Sequence, residues 1–396
     1  SKDVVNECGI CVTDMKIFTC GRWGDAGADN RHDTLILACG NRILKIAVAT
    51  LTETAYYTRR TINWIVLGVI VYIILRIAWW GVITAYTRAF PPKPAPPNHA
   101  FGVLPKIVFP QNQTAVTPSY RLETIEGTVP VASSAATVYF MPKKPANLLA
   151  LTQTQTFASK LGLSPAPIQE TKNIYRFDDK ELMFRRLRYD IVSDNFILRY
   201  AFEQDLSVFA EHNIPEPEQA IQLAKNMLTS NNLMKTDFAG GKTAVTFLKS
   251  TADTLVETTS LSQADAIRID FFRKPVGQLS VVTPLPREGP IAIVYSGSSN
   301  AKKQLLQFAY TYWPINLENT GTYELKTSSD AYNELTNGGG YIASIKAGVT
   351  DVVIRMVSLA YYDSFDPQMY LQPVFVFEGD EGFVAYVTAI AQQWTE

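Results

Sequence analysis

Four cysteines form the one group of side chains in this sequence whose type and spacing suit a metal ion. Cys8 and Cys11 are separated by two residues, as in the CxxC pairs that bind zinc through thiolates. Cys20 and Cys39 supply two more thiols, but they do not form the second CxxC pair that makes a zinc motif specific. We therefore expect free thiols and no resident cofactor. Zinc held by Cys8, Cys11, Cys20 and Cys39 is the alternative.

The motifs of the common hydrolases are absent from the sequence. It contains no HExxH zinc motif, no GxSxG nucleophile elbow and no cysteine after Cys39. The stretch AGGKT, residues 239–243, matches the end of a P-loop, but Thr236 stands where the first glycine is required, so we expect a structural turn. Paired carboxylates leave no local motif. A carboxylate-based enzyme is therefore the alternative to a protein without catalysis.

A long apolar segment follows the cysteines. Residues 62–86 contain one charged side chain, Arg76, and a helix of this length spans about 37 Å, against about 30 Å for the core of a bilayer. Trp64 lies near one end and Trp79 and Trp80 near the other, as interfacial aromatic residues do. The pattern predicts one transmembrane helix that is retained, not cleaved. Arg76 either snorkels to the nearer surface or pairs with an acidic residue of a partner helix.

Charge and cysteine placement indicate the orientation of this helix. Arg59 and Arg60 directly precede it, and basic flanks favour the cytoplasmic side. All four cysteines also precede it, and a domain exported to an oxidising compartment avoids mispairing if it has none. We expect residues 1–61 to be a cytoplasmic stub and residues 91–396 to be extracytoplasmic. Since the first methionine is Met15, a fragmentary stub is the alternative to native sequence.

The remainder of the chain predicts an α+β fold. Residues 87–135 contain the proline-rich PPKPAPP at 91–97, which predicts a stalk and an extended linker. Segments 136–214, 215–300 and 301–396 each combine a helical pattern with alternating strands, which favours tandem helix-plus-antiparallel-sheet units. The composition, with 47% hydrophobic and 18% charged residues, suits a folded protein. A net charge of −1 gives no electrostatic basis for nucleic-acid binding.

Two stretches carry a family resemblance. A helix with an AIxxA pattern and the hairpin RYDIVSDNFILRYAF resemble the PepSY module of peptidase propeptides and spore-germination proteins. The C-terminal SLAYYDSFDPQMYLQPVFVFEGDEGFVAYVTAI resembles the last unit of such tandem proteins, and the layout is similar to that of the YycH/YycI regulators of envelope sensor kinases. The resemblance covers residues 145–390. It implies tandem PepSY-like units and a regulatory or accessory role. Residues 193–195 depart from the pattern, because a glycine usually closes the PepSY hairpin.

Aromatic residues near the C-terminus are the candidate contacts with a partner. Tyr362 ends a predicted strand, and Phe365 and Met369 lie in the loop DSFDPQM, which predicts an exposed binding tip. Packing in the core is the alternative for each aromatic residue. A basic cluster predicts either the solvated face of an edge strand or a contact with phospholipid or wall polymer: Lys180, Arg185, Arg186 and Arg188.

These features together predict a non-enzymatic, single-pass protein of the bacterial cell membrane that binds an envelope protein or peptide outside the cell and that can form homo-oligomers. One alternative is a membrane-tethered cell-wall hydrolase or transferase that uses Asp and Glu residues. Another is a structural subunit of a surface or secretion assembly. A deep cleft with converging carboxylates would favour the enzyme, and an exposed aromatic or β-edge surface would favour the binding protein.

Overall fold

The computed structural model describes residues 34–39, 42–47, 51–89, 96–111, 118–125, 127–128, 130, 133–145, 147–251 and 253–396. The chain forms two compact units, Ser1–Lys93 and Pro94–Glu396.

The first unit contains a hairpin and one long helix. Strand β1 (Thr34–Cys39) pairs antiparallel with β2 (Arg42–Ala47), and α1 spans Leu51–Ala89, so the helix begins before the predicted start at residue 62. Within α1, Thr58–Thr84 contains an 18-residue stretch with a mean hydropathy of 2.2 and is long and apolar enough to cross a membrane. Three of the candidate zinc ligands, Cys8, Cys11 and Cys20, lie outside the described residues, and of Cys39 the backbone alone is described.

The second unit is built from short helices and many strands. Its helices are α2 (Ala150–Lys160), α3 (Pro217–Ser230), α4 (Thr236–Ala239), α5 (Ala301–Gln304) and α6 (Ser328–Thr336). Its strands are β3 (Ser119–Leu122), β4 (Ala135–Phe140), β5 (Ile168–Gln169), β6 (Ile174–Asp178), β7 (Arg185–Asp190), β8 (Phe196–Tyr200), β9 (Thr243–Thr251), β10 (Thr254–Thr258), β11 (Ala266–Phe271), β12 (Ser280–Val282), β13 (Ile291–Ser296), β14 (Leu305–Tyr310), β15 (Asn316–Glu324), β16 (Tyr341–Ser344), β17 (Asp351–Tyr362), β18 (Tyr370–Gly379) and β19 (Val384–Thr388).

Nine of these strands form one antiparallel sheet in the order β10-β9-β11-β13-β14-β8-β7-β6-β5. Helices α2 and α3 contribute Ala158, Ala220, Ala224 and Leu228 to a single core on this sheet. The α3 residues recur every four positions, which is the spacing of one helix face. Strands from residues 136–214 and from residues 215–300 thus share a sheet and a core. The α+β class is confirmed, whereas tandem PepSY-like units are not.

The remaining strands form an eight-stranded sheet with the backbone path β12-β17-β18-β19-β16, to which β3, β4 and β15 are added. Both β3 and β12 run parallel to β17. Helix α6 contributes Ala331 and Leu335 to the core of this sheet. Strand β12 lies in the predicted segment 215–300 but belongs to the eight-stranded sheet. Strand β14 lies in the predicted segment 301–396 but belongs to the nine-stranded sheet, so the predicted segments exchange strands.

The hairpin between β7 and β8 closes without glycine. Asp194 takes a φ of 62° at the turn, a left-handed conformation that aspartate tolerates better than most residues. The Asp194 amide donates to the Asp190 carbonyl across 2.8 Å, and Lys144 forms an ion pair with the Asp194 carboxylate. The sequence SDN therefore supplies the turn that glycine provides in the PepSY pattern.

Candidate binding groove

Strand alternation divides β7 and β8 between the core and an open face of the nine-stranded sheet. On β7 the buried residues are Arg185, Leu187 and Tyr189, and on β8 they are Phe196, Leu198 and Tyr200. The residues between them point to the opposite, uncovered face: Arg186, Arg188, Ile197 and Arg199. This face carries both charged and apolar side chains.

The register places arginines directly opposite each other on this open face. Arg176 on β6 opposes Arg188, and Arg186 opposes Arg199 on β8. Side chains of directly opposed residues lie within about 5.5 Å at Cβ, and like charges in such pairs destabilise a sheet. We call Arg176, Arg186, Arg188 and Arg199 the arginine array. The opposed like charges of the arginine array lower the stability of the sheet, and a surface with a structural role alone does not need them.

Three carboxylates offset the charge of the arginine array in part. Glu170 accepts a hydrogen bond from Arg188 Nε across 2.7 Å and lies 3.6 Å from Arg176 Nη1. Asp178 lies 3.1 Å from Arg176 Nε and 3.6 Å from Arg186 Nε, yet the Arg176 Nε and Asp178 Oδ1 atoms are buried without an aligned hydrogen bond.

The third carboxylate next to the arginine array is that of Glu203, which pairs with Arg199. Four guanidinium groups therefore share three carboxylates. The side chains of Arg186, Arg188 and Arg199 remain 59%, 55% and 56% exposed.

Two adjacent hollows lie along this face. One of about 320 Å³ follows β7 and β8 and is lined by Phe184, Gln204 and three members of the arginine array. The other, of about 400 Å³, lies towards β13 and β14 and is lined by Ala309, Glu288 and Phe365 among others. Both are lined by Arg188 and Ile197. We call these two adjacent hollows together the sheet-face groove, lined by Arg186, Arg188, Ile197, Arg199, Ala309 and Phe365.

A buried arginine fastens the loop that brings Phe365 to the groove. Arg273 Nε donates to Asp363 across 2.9 Å, Nη2 donates to the Trp313 carbonyl across 2.9 Å, and Nη1 bonds the Asp237 carboxylate. Burial alone lowers the pKa of Arg273, but the carboxylates of Asp363 and Asp237 outweigh that effect and raise it. The Trp313 indole then donates to the Phe365 carbonyl across 3.3 Å. The aromatic side chain is thus presented by a loop held at its base.

The guanidinium group of Arg273 is also enclosed by aromatic rings. It lies 5.2 Å from the ring centroids of both Phe238 and Tyr312, within the range of a cation–π interaction. Its side chain is 1% exposed, and the Asp363 side chain is 2% exposed. No local sequence motif predicts the pair Arg273–Asp363, because the fold brings these two distant residues together.

A second buried carboxylate, that of Asp270, holds Gly289, a residue that lines the groove. Asp270 on β11 accepts hydrogen bonds from Arg268 Nε across 2.8 Å and from the Gly289 amide across 3.0 Å. Burial raises the pKa of Asp270 in spite of these donors. A Cβ at Gly289 would lie 2.5 Å from the Phe271 carbonyl oxygen, so this position requires glycine.

The predicted partner contacts have three different outcomes. Phe365 is half-buried and lines the groove, and Met369 is exposed. Tyr362, by contrast, is fully buried and packs on Phe109 and Tyr386, with ring centroids 5.0 and 6.0 Å away. Burial raises the pKa of Tyr362. Tyr362 therefore follows the alternative of packing in the core, because both faces of β17 are covered at this point and the adjacent Tyr361 is buried as well.

The basic cluster predicted from the sequence is split between two faces. Arg185 is buried, where Nη1 donates to the Leu161 carbonyl across 2.9 Å and pairs with Asp179 at 3.2 Å. Arg186 and Arg188 face the groove. Since β6 and β5 lie beyond β7 in the sheet, this strand is not at the edge.

The predicted membrane residues all lie on α1. The residues Trp64, Trp79 and Trp80 are 64%, 67% and 73% exposed, and Arg76 is exposed as well. They fall within Thr58–Thr84, the part of α1 that is long and apolar enough to span a bilayer.

A second, more polar cleft bears on the enzyme alternative. It has a volume of about 860 Å³ and is lined by Asp330 and Glu334 of α6. Asp330 accepts a hydrogen bond from the Thr327 hydroxyl at the start of the helix, and Glu334 pairs with Lys326. Both carboxylates therefore have structural partners. Among the described residues, no group of three His, Cys, Asp or Glu side chains could hold a metal ion.

Comparison with known proteins leaves the groove as the main guide to function. No family model matches the chain, and no curated protein matches it. Among solved structures, the chain is similar to an uncharacterized protein from Eubacterium rectale ATCC 33656, with 14% sequence identity and a TM-score of 0.38. That similarity covers 68% of this chain and 87% of the other.

Proposed function

We propose that this chain is a membrane-anchored protein of the bacterial envelope that binds a protein or peptide partner in its sheet-face groove and performs no catalysis. The observation that carries the proposal is the groove itself, which combines an apolar hollow, a fixed aromatic side chain and exposed guanidinium groups. Aromatic and arginine side chains are the residues that dominate binding energy at protein interfaces. The resemblance to PepSY-like regulators agrees with a regulatory or accessory role.

The anchored loop supports a binding role by its rigidity. Gln368 Nε2 donates to the Tyr362 carbonyl across 2.9 Å, and the Met141 amide donates to the Met369 carbonyl across 2.9 Å. With Arg273 at the base, the loop is held at several points between β17 and β18. A surface that is ordered before binding loses less conformational entropy when the partner arrives.

The enzyme alternative has weaker support. The carboxylates of Asp330 and Glu334 converge on one cleft, as an acid–base pair requires, but each is held by a neighbouring residue. A structural subunit of a secretion assembly remains the third proposal. It differs from a regulator because it predicts a stable, large complex after solubilisation, which size-exclusion chromatography detects.

Topology is tested by labelling a single cysteine in intact cells. Met369 is 49% exposed, whereas Ser364 in the same loop is buried, so Met369→Cys is the suitable position. With α1 inserted and its N-terminus in the cytoplasm, a membrane-impermeant maleimide labels residue 369 and leaves the native cysteines unlabelled. Labelling of the native cysteines alone would reverse the orientation and remove the envelope partner from the proposal.

Partner binding is tested with a photoreactive amino acid. Benzoylphenylalanine replaces Gln204, an exposed residue of the groove, and in a matched control it replaces Val256, which is 50% exposed on the edge strand β10. We expect a cross-linked adduct of defined mass from position 204 that is lost when Phe365→Ala is added. The same adduct from both positions, or none from position 204, would contradict binding in the groove.

A further inference from the structure

We infer that the sheet-face groove recognises an extended peptide segment with two acidic side chains separated by one residue, followed at one end by an apolar side chain. This inference rests on the proposed function and specifies its ligand. The arginine array, the apolar hollow and the spacing of the strands each support a different part of it.

Charge supports the acidic part of the segment. The arginine array has four guanidinium groups and three carboxylate neighbours, and Glu170 and Asp178 are each shared between two arginines. Glu170 bridges the opposed pair Arg176–Arg188, whereas no carboxylate contacts both Arg186 and Arg199, so this second pair repels in the absence of a ligand. A carboxylate placed between two opposed guanidinium groups relieves that repulsion and accepts charge-assisted hydrogen bonds.

Spacing supports an extended ligand. Arg186 and Arg188 lie two residues apart on β7, about 6.7 Å along the strand, and both point to the groove. An extended peptide repeats its side chains on one face at this same interval. Acidic residues at positions i and i+2 of such a peptide therefore meet both guanidinium groups. Strand β7 is about 20 Å long, which corresponds to about six residues of ligand.

The other hollow sets the direction of the peptide. It is lined by the apolar side chains of Ile197, Ala309 and Phe365 and bordered by the carboxylates of Asp190 and Glu288. An apolar side chain fits there, whereas an acidic one meets like charge. The acidic residues are thereby confined to the end of the groove beside Arg186 and Arg199.

The test is a selection of peptides on the full chain in detergent micelles. A displayed library of random dodecapeptides is panned against the chain, and the captured sequences are compared with the unselected library. We expect enrichment of acidic–any–acidic triplets with an apolar residue on one constant side. A synthetic peptide from the selection should bind at least about tenfold more weakly to the double variant Arg186→Gln/Arg199→Gln, since its acidic side chains lose charge-assisted hydrogen bonds to two guanidinium groups.

Two matched variants isolate the effect of the array. Arg121→Gln/Arg355→Gln removes the same charge from the other sheet, where both side chains contact Glu123, and should leave peptide affinity unchanged. Arg186→Lys/Arg199→Lys keeps the charge and loses the bidentate geometry, so its affinity should be intermediate. Because Arg186 and Arg199 repel, the glutamine variant should unfold at an equal or higher urea concentration than the unsubstituted chain, which excludes misfolding as the cause.

The outcomes separate this inference from the proposed function. Captured peptides that lose binding to the Ile197→Arg variant but lack acidic triplets would contradict the inference of an acidic ligand and would leave binding in the groove intact. Displacement of a selected peptide by dihexanoylphosphatidylglycerol at equal concentration would assign the array to lipid headgroups instead. Failure to capture any groove-dependent peptide would overturn the inference, and the adduct at position 204 would then decide the proposed function on its own.

Discussion

Arg273 Nε lies 2.9 Å from Asp363 Oδ2, although 90 residues separate the two in sequence. Arg273 follows β11 of the nine-stranded sheet, and Asp363 follows β17 of the eight-stranded sheet. The pair thus connects the two sheets at the base of the loop that carries Phe365. Its burial makes the contact dependent on both partners, because either charge alone would be left in a poorly hydrated site.

Replacement of Arg273 by methionine should lower the free energy of unfolding by about 3–5 kcal/mol, because two carboxylates lose their buried cation. Urea unfolding of the full chain in detergent, followed by tryptophan fluorescence, measures the change. Arg355→Met is the matched control, since Arg355 also contacts two carboxylates, of Asp380 and Glu123, but on the surface. A similar loss in both variants would show that burial of the Arg273 pair is not what matters.

Gly241 should be intolerant of a side chain, whereas Gly240 should accept one. A Cβ at Gly241 would lie 1.8 Å from the Phe272 carbonyl oxygen, while a Cβ at Gly240 would lie 3.6 Å from the nearest atom, in Lys274. We expect Gly241→Ala to lower the urea midpoint clearly and Gly240→Ala to leave it nearly unchanged. Equal midpoints would mean that this turn shifts freely, and the turn before β9 would then not require glycine.

The division of β8 between core and groove predicts opposite effects for two neighbouring residues. Leu198 is fully buried, so Leu198→Asp should abolish folding, at a cost of about 3 kcal/mol or more for an unpaired buried charge. Ile197 is 37% exposed on the groove face, so Ile197→Asp should remain folded. Circular dichroism and protease resistance of the two variants measure this. Loss of folding by Ile197→Asp would contradict an open face at this position.

Acid stability should depend on Asp205 and Lys303. Lys303 Nζ donates to Asp205 across 2.8 Å, and together with the hydroxyls of Ser207 and Tyr200 it lowers the pKa of the carboxyl group. A lowered pKa in the folded state gives stability that is present above the ordinary value of about 3.9 and is lost as the pH falls through the folded value. Lys303→Met should therefore be less stable than the unsubstituted chain at pH 7, with a smaller difference below about pH 4.

The neighbouring lysine provides the control for this pH dependence. Lys302 pairs with Glu181, and both side chains are substantially exposed. Lys302→Met should have the same urea midpoint as the unsubstituted chain at pH 7 and again at pH 3, because exposed ion pairs contribute little to stability. A pH-dependent loss in Lys302→Met that equals that of Lys303→Met would attribute the effect to net charge and not to Asp205.

Local patterns in the sequence predict the pieces of this fold well. The alternation around Leu187 and Leu198 places the correct residues in the core, and the stripe containing Ala220 and Ala224 lies on the buried face of α3. A period of two or of about 3.6 residues determines which face is buried, and that information is contained in a short segment.

Pairing between distant segments could not be predicted in the same way. The pattern on β8 shows that Phe196 is buried, but it does not show that β14 is the neighbouring strand. The arginine array has the same origin, since Arg176, Arg186 and Arg199 become neighbours through strand register. Phe365 could be identified from its loop, whereas Arg273 and Asp363 carry no signal that links them.

The pairing of β8 with β14 has a consequence for the newly made chain. Gln307 opposes Arg199, so β8 is synthesised roughly a hundred residues before its neighbour exists. At about 5–20 residues per second, ribosomes need several seconds or more for that interval, whereas hairpins close in microseconds. The backbone N–H and C=O groups on the free edge of β8 therefore remain unpaired for several seconds after strands β5–β8 have been made. During that interval the unpaired edge of β8 is open to pairing with other chains.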